Sequence, residues 1–332
     1  MPFSEVLGHT RPLGLLSRSI ARGSLPPSLL FTGPEGVGKR LVAQAVAEAL
    51  NCVSPKGPDA CGTCPACRRI ARGTHPDVLV IEPPDAGATK IEFVRAAIAA
   101  TAYRPFEGRC RVVIIDEADR LTDDAESALL KSLEEPPAGS VFILVTSRPE
   151  TLRATIRSRC SQLRFGRLGA AEVARFLTER RGYEAEEAHA IAAVADGSPG
   201  RALEAGSRAY REARSATVSA LRTAAAAASS KAGLQAAAGL TAGKPSSAGE
   251  REELATRITM LASLLRDLAL VSEGGSAGEL ANADLAADLE ELGASFGSAR
   301  ALRAFAAADR AVSALRRNAS PKIVAAWLSV HI

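Results

Sequence analysis

Residues 33–40, Gly-Pro-Glu-Gly-Val-Gly-Lys-Arg, carry the parts of a phosphate cradle. The P-loop pattern is G-x-x-x-x-G-K-[ST], and Gly33, Gly38 and Lys39 satisfy it. Glycines let such a loop turn its N–H groups toward phosphate, here those of Gly36, Val37, Gly38 and Lys39, and the lysine adds a point charge. The last position normally gives Mg²⁺ a hydroxyl. Here it is Arg40, whose guanidinium only donates hydrogen bonds. The spacing leaves ATP or ADP binding open, while productive Mg²⁺ binding and efficient hydrolysis are not expected. A free-standing P-loop ATPase that tolerates Arg40 is the competing reading.

A second acidic feature lies downstream. Val112 to Ile115 is a hydrophobic run ending in Asp116-Glu117-Ala118-Asp119, the Walker B arrangement. In that chemistry the aspartate orients Mg²⁺ and the glutamate polarises the attacking water. Asp116 and Glu117 are both present, so the ATPase parts are incomplete rather than erased.

Four cysteines form the third feature. Cys61-x2-Cys64-x2-Cys67 is dense, with Cys52 eight intervening residues upstream. Four thiolates suit a closed, structural Zn²⁺ site. The intervening Ser54-Pro55-Lys56-Gly57-Pro58 cannot build its own core, so metal would order it. Reduced free thiols or an iron–sulfur cluster are the other readings. Cys110 and Cys160 are isolated and read as packed small residues. Arg68, Arg69 and Arg72 beside the cysteines would suit a DNA-binding segment, but no aromatics interleave to stack bases. The fourth feature is Ser158-Arg159-Cys160, where an arginine could be offered to a neighbouring subunit's γ-phosphate.

The elements that must position these residues follow from hydrophobic patterning. Strands are expected at Ser28 to Thr32, Val78 to Ile81, Arg111 to Ile115, Val141 to Thr146 and Ser161 to Phe165. Helices are expected at Lys39 to Leu50, Ile91 to Ala102, Thr122 to Leu133 (with Thr122 or Asp123 as cap) and Glu150 to Ile156. Strands alternating with helices predict a parallel sheet covered on both faces. From Gly166 onward only helices are expected, at Gly169 to Arg180, at Glu186 to Ala195 and from Arg201, followed by an alanine-rich helical region. Ala224 to Ser230 and Thr241 to Gly249 read as mobile connections. Ile258, Leu261, Leu264, Leu265 and Leu268 form an apolar face suited to assembly or to an ordinary core.

With 332 residues the chain suits two or three domains. The apolar share is 47% but aromatics make only 4%, which favours closely packed helices. A net charge of +4 is too mild for a protein that coats nucleic acid. No apolar run approaches membrane-spanning length, and Met-Pro-Phe-Ser-Glu does not open a signal peptide, so no membrane association and a cytoplasmic location are expected.

Taken in order, these motifs, with His75-Pro76-Asp77, Leu129-Leu130-Lys131-Ser132-Leu133-Glu134-Glu135-Pro136-Pro137 and Gly197-Ser198-Pro199-Gly200-Arg201, resemble the clamp-loader branch of the AAA+ proteins. The resemblance implies an AAA+ P-loop core over 1–165 with the cysteine module (52–67) inserted, a three-helix lid over 166–207 and a helical collar over 208–332 that holds a hetero-pentameric ring. It implies that other clamp-loader subunits are partners, and that the assembly loads the sliding clamp on primer-template DNA. It makes Arg159 the trans arginine finger, Thr146 the sensor-1 polar residue and Arg201 the sensor-2 arginine. The family's motor subunits keep the P-loop threonine, and one type carries a long C-terminal extension. Neither is seen here, which implies an accessory subunit of the DNA polymerase holoenzyme, a nucleotidyltransferase complex, without ATPase activity of its own.

Overall fold

Five apolar runs build the sheet that sets the geometry of everything else. In the computed structural model, which describes residues 1–84, 87–226, 249–276, 280–317 and 319–331, the strands are β1 (Ser28–Thr32), β2 (Val78–Ile81), β3 (Arg111–Ile115), β4 (Ser140–Thr146) and β5 (Ser161–Arg164). All pair in parallel in the order β2-β3-β4-β1-β5. The central strands β1, β3 and β4 are buried along their whole length, as expected of strands covered on both sides.

Alternate residues feed two cores. Leu29, Phe31, Val112, Ile114, Ile143 and Val145 face α1 (Thr10–Ala21) and α2 (Lys39–Asn51). Leu30, Val113, Ile115, Phe142 and Leu144 face α4 (Ile91–Thr101) and α5 (Asp123–Glu134), introduced after the short α3 (Pro65–Ala71). Of the two cap candidates for α5, Thr122 is the one used: its hydroxyl accepts the Ala125 N–H at 3.3 Å.

The segment expected as one helix over Glu150 to Ile156 is instead a 3-10 turn (Pro149–Thr151) and a single helical turn (Ala154–Arg157). Leu152 separates them in an extended conformation because its side chain, 2% exposed, is drawn into the core. The last strand stops at Arg164, one residue earlier than expected, although the Phe165 N–H still donates to the Thr32 carbonyl at 2.7 Å.

The chain divides into two compact units, one formed by 1–176 with 197–200, the other by 177–196 with 201–332. In the second, the helices Gly249–Ser272 and Ser298–Arg316 pack along each other. Ala301, Ala304, Ala308 and Ala311, all buried at helical spacing, allow that close approach. Ile258, Leu261, Leu264, Leu265 and Leu268 lie inside this core with 1% exposure or less, so of their two readings the ordinary core is the one realised. Ala224–Ala226 and Gly249 belong to helices rather than to connections. The rest of the two predicted connections, 227–230 and 241–248, lies outside the described residues.

No helix among the described residues is long and apolar enough to cross a membrane.

Candidate functional site

The phosphate-type loop follows β1, Asp116 follows β3 and Thr146 ends β4, so parallel pairing brings all three to the carboxyl edge of the sheet. Thr32 and Thr146 are direct register partners. Gly38 caps α2 with φ +101°, and Gly33 sits at φ +144°. A Cβ on Gly33 would stand 2.1 Å from the Phe165 carbonyl oxygen, so only glycine fits there. The Gly200 N–H donates to the Gly36 carbonyl at 2.9 Å, which brings the predicted Gly197–Gly200 motif against the loop.

Lys39 is folded back into its own loop. It is 7% exposed, and its Nζ donates to the carbonyls of Gly33 at 2.8 Å and Pro34 at 2.6 Å. Burial lowers its pKa, and nearby Asp116 and Glu35 oppose that shift. Hydrogen bonds to a charged group are worth about 1.5–3 kcal/mol each, so a phosphate has to replace both.

Arg40 points across the edge instead of toward its own helix. Its Nη1 is 3.4 Å from Asp116 Oδ2 and its Nη2 pairs with Glu82. Burial raises the Asp116 carboxyl, and the guanidinium counters that. The Glu117 N–H donates to Asp116 Oδ1 at 2.9 Å. Glu117 itself, at φ +42°, turns its half-exposed carboxylate to Arg120 at 2.9 Å. Thr146 is buried, and its hydroxyl donates to Asp119 Oδ1 at 2.7 Å while accepting the Arg148 N–H at 3.0 Å. Asp119 also binds the Arg148 guanidinium at 2.9 and 2.6 Å.

Mg²⁺, which loops of this type normally hold, does not fit this donor set. The hydroxyl position is Arg40, and its cationic head faces the carboxylate that would turn to the metal.

Glu82 was missed by sequence reasoning. The signal was there: Ile81-Glu82 repeats at β2 the hydrophobic strand and carboxylate of Ile115-Asp116 at β3. His9 was missed without any pattern to find it. It adopts φ +52°, sets its Nε2 2.8 Å from the Val37 carbonyl and packs its ring edge-on against Phe165.

The cysteines make a separate cluster. The sulfurs of Cys52, Cys61, Cys64 and Cys67 all lie within 4.8 Å of one another, and this set could hold a metal ion. Zn–S bonds of about 2.3 Å in a tetrahedron put sulfurs about 3.8 Å apart, and Cys52 Sγ is 4.0 Å from Cys64 Sγ. Backbone N–H groups point at the sulfurs: Cys61 N to Cys52 and Cys64 N to Cys61, both 3.3 Å. The Thr63 and Cys64 N–H groups lower the Cys61 thiol to about 6, while burial pushes the Cys67 thiol up. Cys64 also caps α3, its sulfur accepting the Cys67 N–H at 3.5 Å, with Pro65 at the first helical position. Cys110 and Cys160 stand apart from this cluster, and burial pushes both thiols up to about 11.

Two neighbouring residues anchor the module to the sheet. Asn51 Oδ1 accepts the N–H groups of Arg109 and Cys110 at 2.9 and 3.0 Å, and Arg109 Nη2 reaches the Cys52 carbonyl at 2.8 Å. Asp77, fully buried, accepts the N–H groups of Phe106, Glu107 and Gly108 and the Arg111 guanidinium at 2.7–2.9 Å. These donors outweigh burial and hold its carboxyl well below the usual carboxylate range. The Asp of His75-Pro76-Asp77 thus organises the loop over 104–110. Of the three arginines beside the cysteines, Arg69 is engaged by Glu107 at 2.8 Å, while Arg68 and Arg72 are exposed.

Arg159 lies elsewhere, between buried Ile156 and Cys160. Its Nε and Nη2 are each 3.3 Å from Glu134 Oε2, and its Nη1 donates to the Thr155 carbonyl at 3.1 Å. Arg201 is exposed in the second unit, in the first turn of the helix Pro199–Ala205.

The family model described as "DNA polymerase III, delta subunit" matches residues 8–169. Over those residues the chain is similar to the DNA polymerase III clamp-loader family. The chain is 36% identical over 195 residues to the delta' subunit of Pseudomonas aeruginosa, covering 58% of this chain and 60% of that protein. It is 35% identical over 201 residues to the tau subunit of Salmonella typhimurium, covering 59% of this chain and 31% of that one. The gamma/tau subunit of Mycobacterium tuberculosis is 36% identical over 157 residues, 47% and 27% of the two chains. The chain thus spans 60% or less of the length of these relatives. Among solved structures, a gamma-subunit-related protein of Thermotoga maritima aligns with a TM-score of 0.43 at 18% identity, covering 92% of this chain and 98% of that one. The five-stranded parallel sheet with its P-loop-type turn, followed by a helical C-terminal part, is the fold expected from the sequence.

Proposed function

We propose that this clamp-loader protein is an accessory subunit of the delta-prime type, acting in DNA replication in the cytoplasm. In this reading it hydrolyses little or no ATP itself and offers Arg159 in trans to a neighbouring subunit's ATP site. The observation that carries the proposal is the contact of Arg40 with Asp116, where a motor subunit would hold Mg²⁺ between a hydroxyl and that carboxylate. The core over 1–165, the lid over 166–207 and the collar over 208–332 take their roles from the same reading. So do Thr146 and Arg201 as nucleotide sensors, and Zn²⁺ at Cys52, Cys61, Cys64 and Cys67. The partners are gamma/tau-type and delta-type subunits in a five-membered ring, with the sliding clamp and primed DNA reached through the assembly.

A second reading, a catalytically active gamma/tau-like subunit, has one observation in its favour: Asp116 and Glu117 are both retained. Identity does not choose between the two, being 36% to a delta' subunit and 35% to a tau subunit. Mixing the full chain with gamma/tau-type and delta-type subunits tests the accessory reading. One complex of defined stoichiometry is expected on size exclusion with light scattering. Separate elution of this chain at micromolar concentrations would contradict it.

A further inference from the structure

We propose that the 33–40 loop binds a nucleoside di- or triphosphate without a divalent cation, Arg40 supplying the positive charge. This rests on the reading of the loop as a nucleotide site, and it assigns that site its ligand form and its metal requirement.

Without a cation, Asp116 and Glu82 would repel an incoming polyphosphate. Arg40 answers both, with Nη1 3.4 Å from Asp116 Oδ2 and Nη2 on Glu82. A divalent ion arriving here would have to displace that guanidinium and would find no hydroxyl ligand at position 40. The head of Arg40 stays within reach of a ligand, its side chain 51% exposed. A guanidinium carries five N–H donors in a planar fork suited to phosphate, and the two contacts use different terminal nitrogens. The rest of the cradle is in place. Gly33, Gly36 and Gly38 hold positive φ, and the Lys39 ammonium rests on two loop carbonyls that a phosphate oxygen would replace as partners. Arg40 is therefore held by two carboxylates and Lys39 by two neutral carbonyls, and neither arrangement leaves a metal position.

The test is calorimetric titration of the full chain with ADP and with ATP, in EDTA and in excess Mg²⁺. Wild-type affinity is expected to change by less than about twofold between the two buffers. Arg40→Ala is expected to weaken binding about tenfold in both, the loss of one charge-assisted contact. Wild-type binding that requires Mg²⁺, no wild-type binding in either buffer, or an Arg40→Ala variant that binds like wild type overturns the proposal. The wild-type comparison stands even if the variant folds poorly. Failure here leaves the co-elution with partner subunits untouched, whereas failure of co-elution with metal-free binding intact would remove the accessory role alone.

Discussion

With Arg159 in the proposed role of trans arginine finger, Arg159→Ala is expected to slow ATP hydrolysis at one subunit junction of the assembled complex by about 10³-fold or more. In single-turnover measurements on the assembled complex, one phase of hydrolysis should disappear while the others persist. The fold should be nearly unaffected. Arg159 is flanked by the buried anchors Ile156 and Cys160, but its own contacts are a long pairing with Glu134 and one carbonyl of its own turn. Exposed pairs of that kind are worth about 0–1 kcal/mol. A complex that hydrolyses ATP with unchanged amplitude and rate after this substitution would remove the role given to Arg159.

Metal removal is the second large effect. One zinc per chain is expected, and its release by chelator or by Cys67→Ala should unfold the 52–67 segment. Structural zinc in zinc-finger peptides is bound with apparent free energies of about 10–16 kcal/mol near neutral pH, which is folding free energy for the segment that holds the ion. The damage should spread along identifiable bonds. Asp59 accepts the N–H groups of Phe3 and Ser4, and the Cys52 carbonyl accepts from Arg109 in the loop that Asp77 organises. Hydrogen exchange should therefore rise over 52–67 first, then over the chain start and 104–110. Protein purified without chelator that contains no zinc, or exchange that does not change on chelation, would contradict the assignment.

Much of the sheet was legible because its strands are short, continuous and rich in β-branched residues, as Arg111–Ile115 illustrates. The Gly33–Lys39 spacing and the cysteine spacing were legible for a related reason: each is a local pattern whose geometry its own backbone decides. What sequence could not give were contacts made across the fold. Arg40 looked like a lost metal ligand. Only the parallel order of β2, β3 and β1 brings Glu82 and Asp116 to the same edge as that arginine. Periodicity alone could not say which way the apolar face from Ile258 to Leu268 would turn, since a core helix and an assembly helix have the same spacing. The extended Leu152 within a helix-like stretch is a tertiary override of local propensity.

The central claim of the proposed reading is that this chain keeps the nucleotide-binding scaffold and has given up hydrolysis. Steady-state ATP hydrolysis by the isolated full chain in excess Mg²⁺, compared with Lys39→Ala, tests it most directly. The account predicts no turnover above background and no difference between the two proteins. Robust Mg²⁺-dependent turnover that Lys39→Ala abolishes would contradict it.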